Sequence, residues 1–214
     1  NLAQLTDNAE KAAAYNKLVD LAFGQVDKIR NVMMENSAAQ QMGKEAKPVD
    51  EEGLYTSLSE AFDAAQECYK YDNLPNAKGK IKAKFSDANA QRLYALRGYL
   101  INGGGFYQGK DNAKAFKLLA QYCESADYPM FAKVKNAEDP DLTNAAFFAS
   151  YMALQNKDYA NAEKYSELSL KDPEHGKDAL SIKLEAMKHQ LNNHEDSVAY
   201  TGKVKALFEK DPDN

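Results

Sequence analysis

Residues 143–174 read TNAAFFASYMALQNKDYANAEKYSELSLKDPE, and this stretch decides the fold. Apolar residues recur at helical spacing up to about Gln155, Asn156-Lys157-Asp158 interrupts them, and Tyr159, Ala162, Tyr165 and Leu168 resume it. The pattern predicts two helices joined by a tight turn. Lys171-Asp172-Pro173 then closes the unit, because proline cannot continue a helix.

Working outward, the same Lys-Asp-Pro triplet returns at 210–212, 39 residues on, a period that belongs to helical repeat arrays. Between the two lies a further predicted pair over 176–210, with Leu180, Leu184, Met187 and Leu191 as its first stripe and Val198 to Phe208 as its second helix. Upstream, a helix is expected over Asp87–Ile101, a break at Gly103, Gly104 and Gly105, and a second helix from Asp111 with Ala113, Phe116, Leu119, Ala120 and Cys123 on one face. Residues 71–86 carry turn chemistry and alternating lysines and read as an irregular connection. From Asp50, Leu54, Leu58, Ala61, Ala65 and Cys68 form a stripe that Tyr55, Phe62 and Tyr69 widen. Asp7 and Glu10 have capping-box spacing, and Leu18, Ala22, Val26, Ile29 and Met33 predict a long helix to about Asn36, followed by a polar loop over 37–48.

The composition agrees: runs of alternating Val, Ile and Thr are nearly absent, while Ala, Lys, Leu, Glu and Asn dominate, so the fold is expected to be all-α. Residues 1–214 are read as one repeat domain of about four to five helical hairpins: irregular N-terminal helices over 7–70, a linker over 71–86, and hairpins over 87–124, 141–170 and 176–210. No single pair has interior enough to fold alone, so stacking must bury each second apolar face. A net charge of -5 gives no long-range attraction to nucleic acid, and no apolar run approaches the roughly 20 residues of a membrane span. The first residue is Asn1 and not Met, which reads as a processed or trimmed chain and leaves export open. Cys68 and Cys123 match no metal spacing and are expected as buried free thiols.

Chemical motifs are few. Gly104–Asp111 has the glycine and lysine spacing of a phosphate-binding loop, but Asp111 stands where a hydroxyl should meet magnesium, and no strand precedes it; the expectation is an interhelical turn. His175, His189 and His194 are expected at the surface, and neither a metal site nor a cofactor is predicted. Lys78, Lys80, Lys82 and Lys84 alternate, so in an extended segment they would project to one side toward an anionic partner; a solvated loop is the plainer reading.

The opening stretch resembles a tetratricopeptide repeat: small Ser150 where the first helix must approach the second, Tyr159 and Ala162 after the turn, and the Lys-Asp-Pro closure. It departs from the pattern at Ala146 and Ser166, where aromatics are usual, and in a proline that arrives one position early. RGYLINGGGFYQGKDNAKAF (97–116) resembles a second unit with a lengthened turn, and residues 178–210 a degenerate third. The ordered set LPNAKGKIKAKF, LRGYLINGG, KDNAKAF, YPMF and NKDYANAEKY is also similar to exported tetratricopeptide-like proteins of Bacteroidetes, over roughly residues 50–190.

The resemblance implies a right-handed solenoid of antiparallel helix pairs, exported to the periplasm or cell envelope, that binds a protein or peptide along its inner helices without catalysing a reaction; the alternative location is cytoplasmic. Carried onto this chain, the groove-facing positions are Asn144, Phe147, Tyr151, Leu154 and Gln155, unless Phe147 and Tyr151 serve only to pack the neighbouring repeat. Two other functions stay open: an assembly subunit acting through self-association or a larger complex, and, more remotely, an enzyme whose site has no local sequence signature. No small-molecule substrate is predicted.

Overall fold

The computed structural model describes residues 4–136 and 138–210. Among them it has nine α-helices and no strand: α1 (Asn8–Gln41), α2 (Glu51–Asp72), α3 (Ser86–Tyr94), α4 (Gly98–Tyr107), α5 (Asn112–Ser125), α6 (Leu142–Gln155), α7 (Tyr159–Ser169), α8 (Gly176–His189) and α9 (His194–Lys210). The protein is all-helical in these residues, as the composition predicts. The second Lys-Asp-Pro triplet lies, from Asp211 on, outside the described residues. The chain divides into two compact units, Asn1–Leu100 with Asp127–Asn136, and Ile101–Ala126 with Ala137–Asn214.

In the first unit, Asp7 caps α1 by accepting the Ala9 amide at 2.6 Å. The helix passes its predicted end at Asn36 because Ser37–Gln41 tolerate helix as well as loop, and it stops only at Gly43. There φ is 66°, and the Lys44 and Gly43 amides donate to Ala39 O and Gln40 O, the paired closure that a left-handed residue permits. The buried face of α1 keeps Val26 and Ile29 of the expected stripe and differs in the rest. Ala12, Val19, Val26 and Ile29 are inside, whereas Leu18 is 42% exposed. Steps of seven from 12 to 19 to 26 keep one seam against α2, which a strict four-residue count drifts away from. On α2 the predicted stripe Leu54, Leu58, Ala61, Ala65 and Cys68 is buried, with Tyr55 and Phe62.

A one-turn 3-10 helix, Pro129–Phe131, belongs to this unit through Phe131, whose ring lies edge-on to Phe62 and Tyr94 at 6.1 and 5.5 Å and stacks on Tyr128. Between α3 and α4, amides at 96, 97, 99 and 100 donate to carbonyls three residues back. This tight winding brings Leu93, Leu96 and Leu100 into the core together.

The expected break at Gly103–Gly105 does not occur; α4 runs through all three. Gly104 is needed for close approach, since a Cβ there would sit 2.5 Å from Leu119 Cγ on α5. Positive φ is used at Gly109 (75°), where the chain turns, and Asp111 caps α5 by accepting the Lys114 amide at 3.0 Å.

In the second unit α6 packs on α5 and α7, and α7 on α8. Small residues fill these junctions: Ala145, Ala146, Ala149, Ala153, Ala162, Ala179 and Ala186 are fully buried, as are Ser150, Ser166 and Ser169. The three serine hydroxyls bond back to carbonyls of their own helices, so each of these hydroxyls has a partner. On α8, the predicted Leu180 and Leu184 are only half-buried, because Ala179, Ile182, Ala186 and Met187 take the inner positions.

Candidate functional site

The expected face on α6 separates into two kinds of residue. Phe147 stacks flat on the His175 ring at 4.2 Å and packs, with Leu154, against the buried cluster of Ala153, Ala162, Ile182 and Ala186. These two side chains serve the interior. Tyr151, 39% exposed, and Gln155, exposed, remain open to solvent, and Asn144, two turns earlier on the same face, is half-buried. The structure therefore leaves Tyr151 and Gln155 as the accessible part of the predicted set.

The histidines are more involved than a surface location implies. His175 is half-buried between Phe147 and Phe148. Its backbone amide and that of Glu174 donate to Asp172, which also accepts the Thr143 hydroxyl at 2.8 Å. Burial alone would raise the Asp172 pKa; these hydrogen bonds, with the adjacent imidazole, hold it below the usual value. Asp172, the buried member of the Lys-Asp-Pro triplet, thus ties the approach to α8 back to the start of α6. His189 stacks on Tyr159 at 4.4 Å and meets Glu185 at 3.0 Å, while His194 is exposed at the start of α9.

A groove of about 680 Å³ opens between α7, α8 and α9. Met187, 6% exposed, supplies part of its apolar lining with Ala160 of α7 and Ala206 of α9, and Glu163, Lys164, Glu167, Lys183 and Lys203 add charge. Lys183 is ion-paired with Glu167, Lys164 bonds Glu124 at 3.0 Å, and Glu163 accepts from Gln190 at 2.9 Å. Apolar contact with both signs of charge around it suits a peptide, which offers side chains and a polar backbone together. Sequence reasoning missed this groove because its residues come from three helices, and the Glu167–Lys183 pair spans two of them with no fixed local spacing.

Lys78, Lys80, Lys82 and Lys84 are all exposed, on the connection between α2 and α3. That connection ends on Asp72, which accepts the amides of Lys84, Phe85 and Ser86 at 2.9 Å each and the Ser86 hydroxyl at 2.7 Å. Burial pushes the Asp72 pKa up, but these donors prevail and lower it. Cys68 and Cys123 are buried thiols outside any disulfide; burial, reinforced by the Asp72 charge, pushes the Cys68 thiol up to about 12, which leaves it protonated and inert as a nucleophile.

Among the described residues no group of three or more His, Cys, Asp or Glu side chains could hold a metal ion, and no helix is long and apolar enough to cross a membrane. No protein-family model, curated protein or solved structure matches the chain.

Proposed function

We infer that this chain is a non-enzymatic binding scaffold, an array of antiparallel helix pairs of the tetratricopeptide kind that holds a peptide segment of a partner protein. The observation that carries the reading is the groove between α7, α8 and α9, with Met187 inside and paired lysines and glutamates around it. The alanine-lined junctions of α6, α7 and α8 support the repeat reading, since helices stacked as pairs need small residues where they approach closely. Tyr151 and Gln155 on α6 add an aromatic and an amide to the surface on offer. An exported, envelope location rests on the resemblance alone, and fractionation of the source cells tests it.

The binding experiment selects peptides from a random library on the full chain and maps the bound peptide by NMR. Perturbed amides should cluster on α7, α8 and the facing side of α9, and Ala160→Trp, which fills the groove from its exposed wall, should abolish binding with the helical signal unchanged. Perturbations confined to other surfaces, or binding that survives Ala160→Trp, would overturn the reading.

A further inference from the structure

The connection from Asn73 to Phe85 contains no helix, yet it is fastened along its length. The start of α1 grips it: Asp7 accepts the Ala77 amide at 2.9 Å, and Asn8 donates to Pro75 O at 2.8 Å. Asn76 closes a turn around Gly79 (φ 71°), its side-chain oxygen accepting the amides of Lys78 and Lys80 at 3.0 and 3.1 Å while its own amide donates to Lys80 O. Asp72 holds the far end at 84–86.

Every one of these bonds uses the backbone or an Asp, Asn or Ser side chain. The ammonium groups of Lys78, Lys80, Lys82 and Lys84 take no partner among the described residues, whereas Lys47 and Lys133 of the same unit pair with Glu35 and Asp87. The neighbouring carboxylates are spoken for: Asp72 is buried under five donor contacts, Asp7 is occupied by two amides, and Asp87 faces Lys133. A chain of net charge -5 therefore displays a local cluster of four ammonium groups that form no ion pair among the described residues.

Each residue from Ala77 to Lys84 is exposed, so the loop projects, and among the lysines Ile81 is 60% exposed, with Leu74 at 41% nearby. Isolated exposed apolar residues are ordinary; an isoleucine between lysines on a fastened, projecting frame calls for a partner that is both anionic and able to take up an aliphatic group. Single-stranded nucleic acid would need aromatic platforms, and the loop's one aromatic, Phe85, is half-buried. An acidic peptide is ordinarily received in a groove, and the cavity of about 400 Å³ beside this loop takes in only its last residues, Ala83 and Lys84, leaving Lys78, Lys80, Ile81 and Lys82 outside it. A bilayer surface meets a projecting loop directly, with ammonium groups at lipid phosphates and the isoleucine at the headgroup boundary.

We propose that the Lys78–Lys84 loop docks the protein on an anionic lipid surface. The test is co-sedimentation of the full chain with phosphatidylcholine vesicles, with and without phosphatidylglycerol, at low and high salt. Binding should require the anionic lipid and fall as salt rises. Replacing all four lysines by glutamine should weaken the partition coefficient about 1,000-fold, and Ile81→Asp about tenfold, while Lys→Arg at the four sites should retain it. Because the ammonium groups take no partner among the described residues and Ile81 is 60% exposed, the variants should keep the helical circular dichroism of the parent. Equal binding to neutral vesicles, no binding to anionic vesicles at low salt, or binding indifferent to the glutamine variant overturns the proposal. So does binding to soluble polyglutamate without binding to vesicles, which would make the loop a site for acidic polypeptide.

Discussion

The two units bury apolar surface in different ways. In the first, large side chains meet: Leu54, Leu58, Phe62, Leu93 and Phe131 are all but fully enclosed. In the second, Met152 and Tyr165 are enclosed too, but most of the buried positions on α6, α7 and α8 are alanines and serines, so the helices themselves come close, with Phe147 and Leu154 only partly covered. A core of large residues fails by cavity and one of small residues by overfilling, so opposite substitutions should damage them. Phe62→Ala should cost the first unit about 3–5 kcal/mol. Ala153→Leu should cost the second about 1–3 kcal/mol. Chemical denaturation combined with hydrogen exchange checks both; if Phe62→Ala left α2 as protected as before, or Ala153→Leu stabilised α6, the contrast would be wrong.

The joints differ as well, and two aspartates sharpen that difference. Both oxygens of Asp72 face N–H or O–H donors, from a segment 12–14 residues away. At Asp172 one oxygen faces two amides and the other the Thr143 hydroxyl, which can turn to accept. Asp72→Asn sets an amide group against the Lys84 N–H and should cost about 2 kcal/mol, whereas Asp172→Asn should stay within about 1 kcal/mol. Both carboxylates have lowered pKa values in the folded protein. Through the range in which they titrate, the unfolded chain binds more protons, so their contribution is complete above about pH 4 and is lost as pH falls through the folded-state values. Urea titrations at descending pH should show the Asp72→Asn protein losing less of its remaining stability to acid than the parent.

Helix content and the broad burial of α2 were legible in the sequence, because spacing over several turns reports which face is apolar and asks nothing of distant partners. Cys68 could be placed inside for the same reason. What escaped was set by distant contacts. The stripe on α1 was read from Leu18 and not Val19, since choosing between adjacent phases depends on the path of α2 beside it. Nothing local marks Asp72 as the anchor of residues 84–86, and the groove ringed by Glu167, Lys183 and Lys203 exists only once three helices are placed. On α6 it was the resemblance that grouped Phe147 and Leu154 with Tyr151; the packing of the first two against Ala153 and Ala162 follows from neighbours that one repeat's pattern does not see.

The glycines of α4 show the same limit at one residue's scale, and they test close approach in the second unit directly. Gly104 faces Leu119, which is 3% exposed and has nowhere to retreat, while nothing lies within 4 Å of where a Cβ at Gly105 would be. Gly104→Ala should lose about 1–2 kcal/mol through overpacking, even after the gain in helix propensity. Gly105→Ala, with that gain and no clash, should add up to about 1 kcal/mol. Thermal melts of the pair should shift in opposite directions; a shared direction would mean that glycine content, and not contact with Leu119, governs the helix.

The smallest effect concerns how helices end in the two units. At the end of α1, Gly43 takes the left-handed conformation; at the end of α6, Lys157 takes it at φ 60°, with the same pair of bonds, Asp158 N to Ala153 O and Lys157 N to Leu154 O, both 2.9 Å. A side chain in that conformation costs about 1–2 kcal/mol, whereas glycine adopts it freely but adds about 0.4–1 kcal/mol of unfolded-state entropy to be lost. Lys157→Gly should therefore stabilise the second unit by roughly 0.5 kcal/mol, the difference of those two magnitudes. Gly43→Lys at the corresponding joint should destabilise the first unit by a similar amount, because no neighbour within 4 Å would add a clash. Equal and opposite shifts in the denaturation midpoint would show that the two ends differ only in the residue that occupies them. If Lys157→Gly destabilised instead, the lysine side chain would be contributing more at the α6–α7 turn than its backbone strain removes.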